Sequence, residues 1–588
     1  MKRFAAFLLA FIVPAVTMAT TNDRGSASVD DLAQRYWQHQ LQSDYFLRSQ
    51  IGLPVETIRP VTVEAADEDA KFAGGILEAL GTIDSQRLDH DRWLTYRTLR
   101  FLASNVVAQR KYFWLAQQTT PYAGGGQLGA ITTLLANFKF TDTADARRYI
   151  SLLDQYAGFV RSLRAFLEGQ HARGIVLPDV ENDASEAVFR GYAAPAQSEV
   201  LVPAEARLSG LSAAERTAVR ARAAKVVAGE LVPAFESVAQ YLAGPYRRGA
   251  PSNVGLWQYP QGREYYQYLI EANTTLTIAP EKLHALGLEE VARLNAALEE
   301  IRGEVGFTGT VAEFKHFLAR DPQFFAKTTP EFGQRLEIYV ARAAAAVPRF
   351  FLHTPTAPYG VAPLPEALAA SQTFGYYDQP TAEKPRGTYL YNAWHPERTS
   401  SLGAGALICH ELIPGHHFQI ALQQENAALP NVRRYDFSET GFVEGWGEYA
   451  SQLCWDMGVY QSPYDKAGRI MQDLMVSTRL VVDTGMNAMG WSRERAMAFM
   501  RENLTLSDAQ IATESLRYST DIPGQALAYK TGELTMLQLR DEAKRRLGAD
   551  FDIRRFHSWI IDSGSMTLDT LRAHVDYEIQ ASGSHPSR

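Results

Sequence analysis

His410, Glu411, His416 and His417 stand in one run, His-Glu-Leu-Ile-Pro-Gly-His-His, and that mix of side chains suits a metal ion. Hydrolysing an amide near neutral pH needs a strong nucleophile and a stabiliser for the oxyanion, and a zinc ion with an open coordination position supplies both. The common arrangement sets two histidines at i and i+4 on one helix, with a glutamate beside the first as general base. Here His410 and Glu411 supply the first half, but position 414 is proline.

The next histidines come too late for a regular helix. At about 100° per residue, i+6 lies about 120° away from His410, while i+7 lies within about 20° but a turn too far along. Pro414 removes a helical hydrogen bond and Gly415 tolerates unusual backbone angles, so the spacing predicts a break that absorbs two extra residues. Such a break returns His416 to the metal side as second ligand, with His417 as the alternative. Three of the 13 histidines fall within these eight residues, in an apolar setting of Leu407, Ile408 and Ile413.

A third ligand should come from another element. Glu444, 28 residues after His416 in Gly-Phe-Val-Glu-Gly-Trp-Gly-Glu-Tyr-Ala, lies in an apolar stretch where its charge needs compensation. Glu448 follows four residues later on the same helical face. It has two readings: an acceptor that orients a ligand histidine, or a partner in a helix-face salt bridge.

The elements that must position these groups carry mostly the helical period. From Pro280 to Val305, apolar residues recur every three or four positions, and similar helices are expected over Ala213–Leu242, Pro330–Ala346 and Leu534–Leu547. No repeat suggests a solenoid. Irregular structure is expected at Pro121–Gln127, with three successive glycines, and at Thr354–Pro365, with four prolines. The run Thr388–Trp394 is rich in strand formers. As a sheet edge it would offer Tyr389 and Tyr391 to a peptide backbone; otherwise the two tyrosines pack one face of a structural strand.

At 588 residues, with 46% hydrophobic and 21% charged residues and a net charge of −8, the chain has a globular composition with no basic excess for nucleic acid. Lys2 and Arg3, the apolar stretch from Phe4 to Val16, and the small residues Thr17 and Ala19 predict a secretory signal peptide at 1–19, cut after Ala19. Residues 20–588 then form the mature chain, periplasmic or secreted, with no membrane association. No cysteine follows the apolar stretch to accept a lipid. The two cysteines, Cys409 and Cys454, exclude a disulfide scaffold and a cysteine-rich zinc site; they are expected as free buried thiols, with a bridge between the two motif segments as the alternative.

These motifs resemble those of the bacterial "domain of unknown function 885" group, regarded as gluzincin-like metallopeptidases. The likeness rests on the His410 run, on Glu444-Gly-Trp, and on Arg517-Tyr518 followed by Pro523-Gly-Gln-Ala-Leu-Ala-Tyr-Lys530. It extends more weakly to Arg479, to Asp483-Thr-Gly485 and to the helix around Leu283. The Gly-His and Phe-Val-Glu sequences are also similar to those of thimet-type oligopeptidases and thermostable metallocarboxypeptidases. This resemblance implies a mainly α, large helical zincin-like fold of two lobes around a deep cleft. A small β-sheet would lie beside the zinc-binding helix, with the site region at about residues 385–545. Asn487 departs from the family pattern, where histidine is usual.

The resulting expectation is one Zn2+ per chain held by His410, His416 and Glu444, with Glu411 as general base and short peptides as substrates. Tyr518 and Tyr529 are candidate oxyanion donors, and Arg517, Gln525 and Lys530 candidate contacts for a substrate carboxylate or backbone. Two alternatives share these residues: an amidohydrolase of non-peptide amides, and a zinc- or peptide-binding protein without turnover. The sequence sets neither the direction of cleavage nor an oligomeric state.

Overall fold

A computed structural model describes residues 21–364 and 375–583. The expected signal peptide at 1–19 lies outside them. The described chain is mainly helical, with one small sheet of three strands, β1 (Tyr359–Pro363), β2 (Tyr376–Asp378) and β3 (Gly387–Tyr391). No described helix is long and apolar enough to cross a membrane.

The helical periodicity translates directly into elements. Pro280 opens a helix running to Glu304, its fixed φ suiting the first turn, and Leu283, Val291, Leu294, Leu298 and Ile301 form the buried face. Leu288, in the same apolar series, is exposed. Gly287 lets this helix approach the long helix Pro463–Asn487, because a Cβ there would come within 2.8 Å of Leu480 and Val481. That long helix, started by a Ser462–Asp465 capping box, is buried along most of its length and forms the axis of the C-terminal half. The expected helix over Ala213–Leu242 appears as two helices joined by a wider turn at Val227–Leu231.

Three expectations change. The glycine run at 124–126 is helical, inside Ala123–Ala136. Gly124 sits where a Cβ would meet the backbone of Gln118 and Thr119 at 2.5–2.9 Å, so close packing explains it rather than a free loop. The proline-rich segment supplies strand β1. The third change concerns β3, which is the central strand: β1 pairs with it in parallel and β2 antiparallel. Both of its edges are taken, so it offers no backbone to a peptide. Tyr389 and Tyr391 point into the core, Tyr391 stacked on Phe332 at 5.6 Å between ring centres, and are structural rather than substrate-binding.

Cys409 and Cys454 form a disulfide, which corrects the expectation of free thiols. It joins the helix ending in His410 and Glu411 (Ala404–Glu411) to the helix carrying Glu444 (Thr440–Asp456), across 45 residues. Closing a loop of that size stabilises a fold by about 2–4 kcal/mol through the unfolded chain. The Cys409→Ser, Cys454→Ser double variant should lose stability of about that size in urea denaturation. Two reactive thiols in the native wild-type protein would refute the bridge.

Candidate metal centre

The first motif helix ends at Glu411, and a second helix, His416–Glu425, begins after four intervening residues. Between them the chain turns back on itself through Leu412, Ile413, Pro414 and Gly415. Gly415 packs so closely that a Cβ would lie 1.8 Å from the His410 carbonyl oxygen, so only glycine fits. The Trp446 indole donates to the Pro414 and Gly415 carbonyls at 3.0 and 3.2 Å, pinning the break to the Glu444 helix. His410 in the last turn and His416 in the first turn then meet, ring centres 4.6 Å apart and nearly perpendicular.

Glu444 completes the cluster. Its Oε2 lies 3.4 Å from the Nε2 of His410 and 3.4 Å from the Nε2 of His416, and one donor atom from each residue lies within 4.8 Å of the others. Tetrahedral zinc with bonds of about 2.0–2.1 Å spaces its donors roughly 3.4 Å apart. The same distance is long for two imidazoles donating to one carboxylate oxygen. Two imidazole nitrogens and a carboxylate also form a donor set suited to catalytic zinc, so these residues fit the ion.

Electrostatics point the same way. Burial alone would lower the His410 pKa, but Glu444 and Glu448 on either side push it up to about 10. Burial would raise the Glu444 carboxyl, yet the imidazoles of His410 and His416 beside it hold it below the usual carboxylate range. Glu411 is half-buried; desolvation raises its pKa, opposed by His410 and His416 and by the Tyr377 backbone, and reinforced by Glu444. A concentration of carboxylates in a desolvated place favours a cation.

Glu448 stands beside His410 and is held by side chains of another helix. Fully buried, it places Oε1 3.2 Å from His410 Nδ1, off the line of a good hydrogen bond, while Arg469 at 3.1 Å and Gln472 at 3.2 Å hold it. The salt-bridge partner comes from another helix. Arg469 also reaches Glu533 at 2.8 Å. Lys530 belongs to the same buried network, 2.6 Å from Asp473, 2.9 Å from Glu533 and 3.0 Å from Glu290. With 1% exposure and three carboxylate partners, Lys530 is structural, and its expected contact with substrate is corrected.

The remaining sequence candidates divide. His417 is turned from the cluster: Nδ1 meets the Tyr377 hydroxyl at 2.9 Å, Nε2 the Ala357 carbonyl at 3.1 Å, and burial lowers its pKa to about 4. It ties the second helix to the sheet. The Tyr518 hydroxyl gives its proton to Glu514 and accepts from Arg479 Nε at 2.8 Å, leaving none for an oxyanion. Tyr529 lies against His410, ring centres 6.1 Å apart and 17° from parallel, and its hydroxyl accepts from Gln525 at 3.3 Å, so its own proton stays available. Arg517 donates to Gln525 Oε1 at 3.0 Å.

Asn487 takes no place in the cluster. Its amide accepts from Leu256 N at 3.1 Å and donates to the Asp483 and Tyr518 carbonyls at 3.0 and 2.8 Å, clamping three backbone segments.

Several contributors were not singled out from sequence. Gly447 sits where a Cβ would come within 2.6 Å of the His410 ring, and Gly445 where it would meet Gly532 Cα at 2.5 Å. The alternating glycines around Trp446 were the available signal, since they thin one helix against both a ligand and a neighbouring helix. Arg469 and Tyr377 carried no local signal at all.

His416→Ala should therefore lose bound zinc, whereas His417→Ala should keep near-stoichiometric zinc and lose thermal stability. Metal content by mass spectrometry of the purified variants checks this; full zinc retention in His416→Ala would refute the ligand set.

The described fold is similar to two solved structures. One, a "putative lipoprotein" from Colwellia psychrerythraea, has a TM-score of 0.83 at 24% identity, covering 95% of this chain and 99% of that one. The other, a "putative lipoprotein of unknown function" from Shewanella oneidensis, has a TM-score of 0.69 at 18% identity, covering 94% and 99%. At these identities the likeness shows the fold. No curated protein matches the chain. The model of the family described as bacterial protein of unknown function (DUF885) matches residues 47–575. The chain belongs to that bacterial DUF885 family.

Proposed function

We propose that the chain is a gluzincin-like zinc metallopeptidase, exported from the cytoplasm and acting on short peptides. The observation that carries this reading is the convergence of His410, His416 and Glu444 at zinc-donor spacing, with Glu411 immediately beside the first ligand. One zinc per chain, when bound, supplies Lewis acidity to the scissile carbonyl and to the attacking water.

The chain's own residues do the proton work. Glu411 accepts the proton of the attacking water and delivers it to the leaving amine, a task suited to a carboxyl whose pKa burial has raised. Tyr529, beside His410 with a free hydroxyl proton, donates to the developing oxyanion. Its own pKa is pushed up to about 12, by burial first and then by Glu444, so it acts as a neutral donor at working pH. Glu448 and Arg469 hold the His410 ring in place.

Substrate size follows from the family likeness: two lobes enclosing the site admit flexible peptides rather than folded proteins. Export is supported by the basic and apolar start of the sequence, by the Cys409–Cys454 disulfide, and by the lipoprotein description of both similar structures.

Purified mature protein should cleave members of a peptide library, read from product masses. Chelation should abolish cleavage and zinc restore it. Glu411→Gln should lower kcat by roughly 10²–10⁴-fold with zinc still bound. Protein that holds one zinc per chain yet cleaves nothing in a broad library would defeat the peptidase reading.

A further inference from the structure

Next to the metal cluster lies a pair of guanidinium groups that the chemistry above does not use. Arg479 has its Cζ 4.8 Å from the centre of the Tyr529 ring, and Tyr529 in turn lies against His410. Arg517 is linked to the same tyrosine through Gln525, which accepts from Arg517 and donates to the Tyr529 hydroxyl. Both arginines are largely buried, at 6% and 13% side-chain exposure.

Within ion-pair range their charges are only half matched. Among the described residues, Glu514 is the one carboxylate in ion-pair range of either arginine, 3.4 Å from Arg479 and 3.7 Å from Arg517, and it also accepts a hydrogen bond from the Tyr518 hydroxyl. One carboxylate therefore serves two guanidiniums. Of the next acids, Asp483 is engaged, accepting from the Tyr266 hydroxyl and the Gly524 N–H. Asp521 lies outside ion-pair range of both arginines, its Oδ1 buried and without a hydrogen bond among the described residues. Burial raises both carboxyls, to about 7 and about 6, with Arg517 at longer range opposing the rise. Arg517 Nε is buried without a partner. A half-paired guanidinium in a desolvated place calls for an anion, and a planar fork matches a carboxylate.

We propose that Arg479 and Arg517 form a subsite for the terminal α-carboxylate of a peptide substrate, so that cleavage occurs close to the carboxyl end. This rests on the peptidase reading and adds a direction to it. The steps from the His410 ring to Tyr529 and from Tyr529 to Arg479 are 6.1 and 4.8 Å. Together they span no more than about three residues of extended chain. A carboxylate held there leaves the first to third peptide bond from the C-terminus at the metal. Tyr529 then has two roles, as the wall between catalytic and anchoring groups and as the oxyanion donor. Gln525 couples Arg517 to that wall.

The test uses the full-length Glu411→Gln protein, which holds substrate without turning it over, and three pentapeptides of one apolar sequence. The first ends in a free acid, the second in an amide, and the third in a glutamate amide whose only carboxylate is a side chain. Calorimetry should show the free acid binding at least roughly tenfold tighter than the amide. Adding Arg517→Gln should remove most of that difference. Equal affinity for acid and amide, or binding of neither, overturns the proposal. Equal affinity for the free acid and the glutamate amide overturns the terminal assignment in favour of an acidic side chain. Wild-type product masses separate this from the parent reading. Equal cleavage of acid and amide sinks the carboxylate subsite and leaves the peptidase standing, whereas no cleavage of any peptide sinks the peptidase.

Discussion

The bond from the Trp446 indole to the carbonyls of Pro414 and Gly415 joins the two halves of the cluster. Two extra residues between His410 and His416 would carry the second histidine about 120° from the first on a regular helix. The chain removes that error by stopping one helix at Glu411 and starting another at His416. A stop of this kind leaves carbonyls without intrahelical partners, and buried carbonyls need donors. Trp446 brings a donor to the Pro414 carbonyl and shares it with that of Gly415, which also accepts from Gln419 as the second helix starts; it comes from the helix that also brings Glu444. The geometry of the break and the arrival of the third donor are thus a single packing event, reinforced one turn away by the Cys409–Cys454 bridge.

Orientation is fixed by charges further out. Glu448, Arg469, Asp473, Lys530, Glu533 and Glu290 form a buried ionic chain behind His410. Taking so many charges out of water is costly, and such a chain gives little net stability compared with an apolar core. Its gain is rigidity: each charge has a partner, which fixes Glu448 in its place 3.2 Å from His410 Nδ1. The carboxyl of Glu533 shows the strain of the crowding, since burial and the nearby Asp473 push its pKa to about 7 despite Lys530 and Arg469.

Much of this was legible in the sequence where the signal was local. The helix at Pro280, the need for a break at Pro414 and Gly415, and the isolation of Glu444 in apolar surroundings follow from periodicity, backbone stereochemistry and desolvation. What failed depended on partners distant in sequence. Alternation in β3 reads alike for a central and an edge strand, and only the pairing of β1 and β2 decides. Lys530 looked available because Asp473 and Glu290 are far off in the chain, although Glu533 stands three residues on; for Tyr518, Arg479 is distant but Glu514, four residues back, was a local signal. The two thiols looked free because 45 residues separate them, although their helices cross. Asn487, marked as a departure, turned out to be a backbone clamp whose partners at Leu256 and Tyr518 no local reading could supply.

Tyr529 is where the two charge systems meet. On one side stand Glu411, Glu444 and Glu448, an excess of carboxylates around two imidazoles; on the other stand Arg479 and Arg517, with Glu514 as their one ion-pair partner among the described residues. Left to collapse, groups of opposite sign at this range would pair with one another and satisfy both excesses. The aromatic ring prevents it by occupying the space between them, stacked on His410 and under Arg479. Separation keeps the carboxylate side free for a cation and the guanidinium side free for an anion. On the reading proposed above, an arrangement that keeps opposite charges apart across one ring would suit a ligand with a polarisable carbonyl at one end and a negative group at the other.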